Sequence, residues 1–306
     1  MTNIFIDGSA GTTGLRIFDR LSLRNDIRLI VLPEKSRKDP EARRDALNMA
    51  DIAFLCLPDD AARQAVSLID NPHTVIIDTS TAHRTAEGWS YGFPELEGAE
   101  KIASSKRIAN PGCHASGFVA LIKPLINSKA INPDTALSCF SLTGYSGGGK
   151  KMIAEYAAEE KDFLLSAPRQ YGLSQQHKHL NEMVKVTGLE VSPAFCPIVS
   201  SFYSGMEVTV PIFKKDLNCS VEELKEIYKS VYTGNLVKYA DGADENGFMS
   251  AAAFSGRDDM QITVTGNEER LLLIARFDNL GKGASGAAIQ NMNIVMGADE
   301  TSGLVY

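Results

Sequence analysis

Short apolar runs alternate with amphipathic segments over the N-terminal third of the chain. The run at 3–7 is followed by apolar side chains that recur about once per helical turn as far as Leu21. Further runs at 27–32, 51–58 and 74–80 continue the alternation. Strands that are apolar on both faces and alternate with helices are typical of a parallel sheet covered on both sides. The pattern therefore predicts a Rossmann-type α/β fold with a doubly wound parallel sheet.

Beyond residue 130 the apolar runs become rich in β-branched and aromatic residues. Two of these runs flank Gly266-Asn267, which is typical of a hairpin turn. Ser220 with Glu223 forms the sequence pattern of a capping box at a helix start. The region is predicted to be an α+β segment with a largely antiparallel sheet. Its other predicted strands cover 135–143, 194–202 and 205–213, and its predicted helices cover 150–163, 176–187 and 220–232.

The change of pattern divides the chain into three segments. We expect a Rossmann domain over residues 1–112 and an α+β domain over residues 113–278. The last segment, 279–306, starts with several glycines and continues with the pattern of a helix.

Composition and charge argue against several classes of protein. The 306 residues are 44% hydrophobic and 23% charged, as is ordinary for a globular protein. The formal net charge is -7 and no basic tract occurs, so we expect no nucleic-acid partner. No apolar run approaches the ~20 residues of a membrane span, and the N-terminus lacks a signal-peptide pattern. The five cysteines are scattered without a C-x-x-C pair, so we expect reduced thiols, no metal site and a cytoplasmic location.

A glycine-rich loop lies between the first predicted strand and the first predicted helix. Its three glycines, spaced G-x-x-G-x-x-G, permit a tight turn and let backbone N–H groups approach a pyrophosphate at the helix N-terminus. A glycine-rich turn without a ligand is the alternative. We predict that the loop binds a dinucleotide through Gly8, Ser9, Gly11, Thr12, Thr13 and Gly14.

The choice between NAD and NADP depends on the segment after the second predicted strand. Glu34 is suited to accept a hydrogen bond from a ribose 2′-hydroxyl, which favours NAD. Lys35, Ser36 and Arg37 are instead suited to neutralise a 2′-phosphate. Two cations and a hydroxyl in three residues favour NADP, and we predict cofactor contacts from Ser36 and Arg37. A solvated charged loop is the alternative.

Cys113 follows a fifth predicted strand and begins a segment with the pattern of a helix. A thiol at a helix N-terminus has a lowered pKa, and its thiolate is the nucleophilic form. Asn110 and the Pro111-Gly112 turn would fix the direction of this thiol and offer hydrogen bonds to an oxyanion. We predict that Cys113 is a nucleophile, and that the other four cysteines are small buried side chains.

A thiolate enzyme also needs an acid/base group, for which histidine is suited. His177 and His179 would face the same way in an extended segment and diverge in a helix. We prefer His179, because Glu182 lies one helical turn further on and is placed to orient its ring. Two surface histidines near a helix start are the alternative. His114, next to the nucleophile on a predicted helix, is expected to point elsewhere.

These motifs together resemble the short-type N-acetyl-γ-glutamyl-phosphate reductases, which belong with the aspartate-semialdehyde and glyceraldehyde-3-phosphate dehydrogenases. The resemblance spans nearly the whole chain. It is carried by the three loop glycines and by the stretches DTSTAHR, YGFPEL, NPGCH, SGGGKK, HKHLNEM and NLGKGASGAAIQNMN.

The resemblance implies an NADPH-dependent reduction of an acyl phosphate through a thioester on Cys113, with His179 moving protons. It implies substrate contacts from Arg84, Asn110, Lys150 and His177, and a homo-oligomer. In this family the C-terminal glycine-rich element returns to the first domain beside the nicotinamide. We predict further cofactor contacts at Leu57, Pro58, Lys282, Gly283, Gln290 and Asn291.

Two other functions fit part of the pattern. An aspartate-semialdehyde dehydrogenase would use the same chemistry on a different substrate, although the QHKHLNEM and KGASGAAIQNMN stretches argue against it. A non-catalytic NADP-binding sensor would not need a reactive thiol, a base and a phosphate-binding arginine.

Overall fold

The computed structural model describes residues 1–306 without gaps. The backbone forms two compact units. The first unit comprises Met1–Gly112 with Ala284–Leu304, and the second comprises Cys113–Gly283 with Val305–Tyr306.

The first unit contains a six-stranded parallel sheet in the order β2-β1-β3-β4-β6-β5. Its strands are β1 (Thr2–Asp7), β2 (Ile27–Ile30), β3 (Ile52–Leu55), β4 (Val75–Asp78), β5 (Ser90–Tyr91) and β6 (Arg107–Ala109). Its helices are α1 (Thr12–Leu21), α2 (Pro40–Met49), α3 (Asp59–Ser67), α4 (Pro94–Glu97), α5 (Ala99–Ser104) and the C-terminal α10 (Gly286–Val295).

Both faces of this sheet are buried, as the apolar strands predict. On β1, Ile4 and Ile6 belong to one hydrophobic cluster, whereas Phe5 between them belongs to another. The first cluster also contains Ile17 of α1 and Met292 of α10. Successive strand side chains point to opposite faces, so the two clusters lie on opposite sides of the sheet. The doubly wound arrangement is confirmed, and α10 completes one of its two layers.

The second unit contains a seven-stranded sheet in the order β11-β12-β13-β10-β7-β9-β8. Its strands are β7 (Ser138–Gly144), β8 (Arg169–Gln170), β9 (Ala194–Ser200), β10 (Met206–Phe213), β11 (Val237–Tyr239), β12 (Met260–Gly266) and β13 (Arg270–Phe277). Its helices are α6 (Cys113–Asn127), α7 (Gly149–Ala157), α8 (His179–Thr187) and α9 (Val221–Val231), and a π-helical turn spans Gly281–Ser285.

This second sheet is mixed and mostly antiparallel. Four of its pairings are antiparallel, including the predicted β12–β13 hairpin, and β7–β9 and β11–β12 are parallel. Burial alternates along β10, because α6 packs on one face of the sheet. A Cβ at Gly117 of α6 would lie 2.5 Å from Val208 Cγ2, so glycine permits this close approach.

The predicted helix boundaries in this unit need correction at two places. The helix predicted over 150–163 ends at Ala157, and the helix predicted over 176–187 begins only at His179. The helix predicted over 220–232 matches α9, and its capping box between Ser220 and Glu223 is confirmed. The late start of α8 leaves His177 in the segment before the helix.

None of the ten helices combines the length and the apolar character that a bilayer crossing requires.

The glycine loop depends on a backbone conformation that other residues rarely adopt. Gly8 has a φ of +89°, and a Cβ there would lie 2.3 Å from the carbonyl oxygen of Cys56. A Cβ at Gly14 would lie 2.4 Å from the carbonyl oxygen of Gly8. The loop, the end of β3 and the start of α1 therefore pack with backbone against backbone.

We expect Gly8→Ala to destabilise the chain more than Gly88→Ala, as measured by urea unfolding. Gly88 also has a positive φ, +79°, but a Cβ there would meet nothing within 4 Å. Gly88→Ala should therefore lower the free energy of unfolding by about 1–2 kcal/mol, the cost of a positive φ in alanine. Gly8→Ala should lower it by a further ~1–3 kcal/mol, because the new Cβ overlaps with the Cys56 carbonyl oxygen. Equal losses would show that the loop can relax away from β3.

Candidate active site

Cys113 is the first residue of α6, directly after the Pro111-Gly112 turn. Its thiol is half-buried. The helix dipole is positive at this N-terminus and favours an anion there, which lowers the free energy of a thiolate relative to the thiol. The predicted placement of Cys113 at a helix start is confirmed.

The π-helical turn approaches this thiol closely. A Cβ at Gly283 would lie 3.1 Å from Cys113 Cβ, so glycine leaves space beside the nucleophile. Asp278 holds the turn: its side chain accepts hydrogen bonds from the N–H groups of Leu280 and Gly281 at 2.7 and 2.8 Å, and its carbonyl accepts from Gly283 N–H at 3.0 Å. A buried carboxylate therefore shapes the backbone that packs against Cys113.

Three histidines form a cluster in the same unit. The ring centroids of His177 and His179 are 4.8 Å apart, and each lies less than 6 Å from the ring of His114. Phe195 packs edge-on against His114 and His177 at 5.4 and 5.2 Å. His114 belongs to this cluster, and its expected direction away from the Cys113 thiol stays a prediction. His177, in the segment before α8, and His179, the first residue of α8, therefore both belong to this cluster.

His114 is the most deeply buried member of the cluster, with 3% of its surface exposed. Its Nδ1 lies 2.7 Å from Ser141 Oγ, and its Nε2 lies 2.6 Å from the hydroxyl of Tyr171. Burial lowers the pKa of His114 to about 3, and the charge of His177 acts in the same direction. The imidazole is therefore neutral at neutral pH.

His177 and His179 differ in their surroundings. His177 is half-buried, and its Nδ1 accepts a hydrogen bond from the backbone N–H of His179 at 3.2 Å. Burial lowers the pKa of His177, with a further lowering by the charge of Lys178. His179 is buried at the first position of α8, and Glu182 is buried one turn further on. The two histidines are thus adjacent, but only His177 has its Nδ1 lone pair engaged by the backbone.

Arg84 holds the chain segment that leads to Cys113. Its Nε donates to the carbonyl oxygen of Asn110 at 2.9 Å, and its Nη2 donates to that of Thr79 at 3.0 Å. The Asn110 side chain donates to Ala284 O at 3.0 Å and accepts from Asn291 Nδ2 at 3.3 Å. In the first unit Arg84 and Asn110 therefore brace the backbone ahead of the nucleophile. Contacts of Arg84 and Asn110 with a substrate stay predictions.

The first unit contains a cavity of about 360 Å³ at the glycine loop. Four predicted cofactor residues line it: Gly8, Ser9, Arg37 and Leu57. Lys38 and Arg43 line it as well, and Arg43 is paired with the buried carboxylate of Asp7 at 2.8 Å. Lys35 and Ser36 are not among the lining residues. Cations, apolar side chains and loop N–H groups in one cavity suit the phosphates and the adenosine of a dinucleotide.

The other predicted cofactor residues do not line this cavity. Gly11 and Pro58 precede α1 and α3, and Thr12, Thr13 and Gly14 form the first turn of α1. On α10, the Gln290 amide donates to Glu95 and Glu300, and the Asn291 amide donates to Gly92 O, so both side chains brace the first unit. Lys282 is almost fully buried in the second unit, and Lys150 is exposed at the start of α7.

Sequence reasoning missed several residues of these sites. Ser141 and Tyr171 carried no signal, because only the fold brings them to His114. Lys38 and Arg43 belong to the charged stretch after β2. The argument from clustered cations that identified Arg37 applies to them as well. Asp278 precedes the glycine-rich motif directly, and an acidic residue at a tight turn was a usable signal. No group of three or more His, Cys, Asp or Glu side chains is arranged to hold a metal ion.

Comparison with known proteins agrees with this geometry. Residues 113–279 match the semialdehyde dehydrogenase dimerisation domain, and residues 32–105 match the semialdehyde dehydrogenase NAD-binding domain. The chain is 43% identical to N-acetyl-γ-glutamyl-phosphate reductase 2 of a Nostoc species, over 98% of both chains. The chain belongs to the N-acetyl-γ-glutamyl-phosphate reductase family. The corresponding reductase 2 of Pseudomonas putida is 42% identical, again over 98% of both chains.

Solved structures show the same fold outside this reductase family. Aspartate semialdehyde dehydrogenase II of Vibrio cholerae, complexed with ASA, superposes with a TM-score of 0.71 at 16% identity, covering 97% of this chain and 98% of the other. The aspartate semialdehyde dehydrogenase of Francisella tularensis gives the same TM-score at 15% identity, covering 97% of this chain and 100% of the other. At this identity the likeness concerns the fold alone.

We expect iodoacetamide to label Cys113 first in the native chain. Burial raises the pKa of Cys56 to about 12 and raises that of Cys139, so at pH 8 only about one Cys56 thiol in 10⁴ is ionised. Mass spectrometry of tryptic peptides at successive times measures the order of labelling. The same reaction in urea should label all five cysteines at similar rates. Native labelling of Cys56 before Cys113 would contradict the proposed thiolate.

Proposed function

We propose that the chain reduces N-acetyl-γ-glutamyl phosphate to N-acetylglutamate 5-semialdehyde with NADPH, releasing phosphate, as a step of arginine biosynthesis. The observation that carries the proposal is a half-buried thiol at a helix start, placed in one unit with a cluster of three histidines. Membership of the reductase family supports the choice of substrate.

The thiolate of Cys113 attacks the acyl carbonyl carbon, forming a C–S bond and moving the π electrons onto the carbonyl oxygen. When the C=O bond forms again, the bond to phosphate breaks and a thioester remains on Cys113. His179 supplies the one proton that the departing phosphate takes up. NADPH, when bound, supplies the hydride that reduces the thioester carbonyl. The aldehyde then leaves as the C–S bond breaks, and the electron pair returns to Cys113 as thiolate.

The remaining assignments follow from where the side chains lie. Lys150 is an exposed cation at the N-terminus of α7 and is our choice for a phosphate contact, and His177 is placed beside the acid/base histidine for a substrate contact. The first unit would bind NADP through the glycine loop and Arg37, and the second would carry the catalysis. Phe140 and Leu272 are two large apolar side chains exposed on its sheet, which fits self-association into a homo-oligomer. The cytoplasm is the location that we expect for a biosynthetic reductase of this family.

We expect NADPH oxidation with N-acetyl-γ-glutamyl phosphate and far less with aspartyl phosphate. Cys113→Ser should lower kcat by at least about 10³-fold, because the serine alkoxide is not accessible at neutral pH, and should leave NADPH binding unchanged. Cys219→Ser removes a half-buried thiol from a loop and is the matched control, with turnover near that of the parent chain. A Cys113→Ser enzyme that kept a tenth of the rate would rule out the covalent route.

We expect Arg37→Ala to weaken the binding of NADPH by about tenfold or more and to change the binding of NADH little. The reason is that a charge-assisted hydrogen bond to a phosphate contributes about 1.5–3 kcal/mol. Lys35→Ala is the control, because it removes the same charge two residues earlier from a side chain outside the cavity. Dissociation constants from cofactor fluorescence measure both effects. If Arg37→Ala weakened both cofactors equally, Arg37 would not recognise the 2′-phosphate.

A further inference from the structure

The hydrogen bonds around His114 determine which of its nitrogens carries the proton. Ser141 lies on β7 and is fully buried, and the only hydrogen bond of its hydroxyl is the 2.7 Å contact with His114 Nδ1. A buried donor left without an acceptor costs roughly 1–3 kcal/mol. The Ser141 hydroxyl therefore donates to Nδ1, and Nδ1 is the unprotonated nitrogen.

A neutral imidazole has one N–H group, which must then be on Nε2. The lowered pKa of His114, caused mainly by burial, keeps the ring neutral. The Nε2–H group donates to the hydroxyl oxygen of Tyr171 at 2.6 Å. The three groups thus form a chain with a single direction, from Ser141 through His114 to Tyr171.

This direction leaves the proton of the Tyr171 hydroxyl without an acceptor in the chain. The oxygen of Tyr171 accepts from His114, and no other residue is within hydrogen-bond distance of it. Burial raises the pKa of Tyr171, and the charge of Cys113 raises it further, so the phenol stays protonated. Its hydroxyl lies 2.6 Å from Nε2 of His114, the residue next to Cys113 in the chain. Tyr171 is half-buried and is not enclosed in the core.

We propose that Tyr171 is a catalytic hydrogen-bond donor to the oxyanion that forms on the carbonyl attached to Cys113, with its O–H directed there by the chain from Ser141 and His114. The inference rests on the proposed function and adds a residue to it. The oxyanion forms twice, when the thiolate adds to the acyl phosphate and when hydride adds to the thioester. Each time the Tyr171 proton is shared with the oxyanion and kept by Tyr171 when the C=O bond forms again, so no net proton is consumed.

The direction of the chain can be tested without a substrate. In ¹⁵N-labelled protein at neutral pH, we expect the His114 resonances of the Nε2–H tautomer, with Nδ1 in the range of an unprotonated nitrogen. His114→Gln identifies those resonances by their loss. The Nδ1–H tautomer would overturn the inference, because the Tyr171 proton would then be engaged by His114, and it would leave the proposed function standing.

The role of the hydroxyl can be tested with Tyr171→Phe. Loss of one oxyanion donor costs about 10²–10³-fold in kcat. We expect that loss with little change in the rate at which iodoacetamide labels Cys113, because alkylation forms no oxyanion. A parallel fall in the labelling rate would overturn the inference, since Tyr171 would then act on the thiolate itself.

Tyr228→Phe is the matched control for the loss of a buried hydroxyl. The Tyr228 hydroxyl donates to the carbonyl oxygen of Leu121 at 2.6 Å, on the same helix that begins with Cys113. We expect its kcat within about threefold of the parent chain, a change below ~0.7 kcal/mol. A Tyr171→Phe enzyme that is no slower than Tyr228→Phe would overturn the inference. A parent chain inactive toward the acyl phosphate would overturn the proposed function and this inference together.

Discussion

Close packing of the π-helical turn against the first residue of α6 constrains everything around the nucleophile. Cys113 Cβ would lie 3.1 Å from a Cβ at Gly283, so no larger side chain fits there without a shift. The position of the π-helical turn depends on Asp278, whose carboxylate and carbonyl oxygens accept hydrogen bonds from three backbone N–H groups. The start of α6 presents the Cys113 thiol and is also packed against the backbone of the turn. Gly283 permits both, because it places no side chain beside Cys113.

Burial determines the chemistry of the histidine cluster. Desolvation disfavours the charged imidazole, so the pKa of His114 falls and this ring becomes a fixed hydrogen-bond relay between two hydroxyls. A charged His114 beside His177 and His179 would repel their protonated forms. A neutral His114 removes that repulsion from its neighbours, one of which is the proposed acid/base residue.

Several predicted ligand residues hold the backbone of the first unit in place. Arg84 is the clearest example, because its guanidinium spans the carbonyl oxygens of Thr79 and Asn110. Gln290 and Asn291 likewise direct their amides into the first unit. From the sequence motifs alone, these residues are predicted to contact ligands. The structure shows that they also hold the surrounding backbone in place. A substitution at Arg84 would therefore disturb the backbone before Cys113 in addition to any phosphate contact.

Periodicity and turn chemistry alone determined the parallel sheet, the glycine loop, the hairpin at Gly266 and a thiol at a helix start, because each of these is a local property of neighbouring residues. The start of α8 was less well determined, because no side chain caps it, and it lies three residues later than predicted. Only the tertiary structure decided which side chains meet His114. Ser141 and Tyr171 are 27 and 57 residues away from it in sequence. Proton position and pKa depend on what surrounds a buried ring, and a linear pattern does not contain that information.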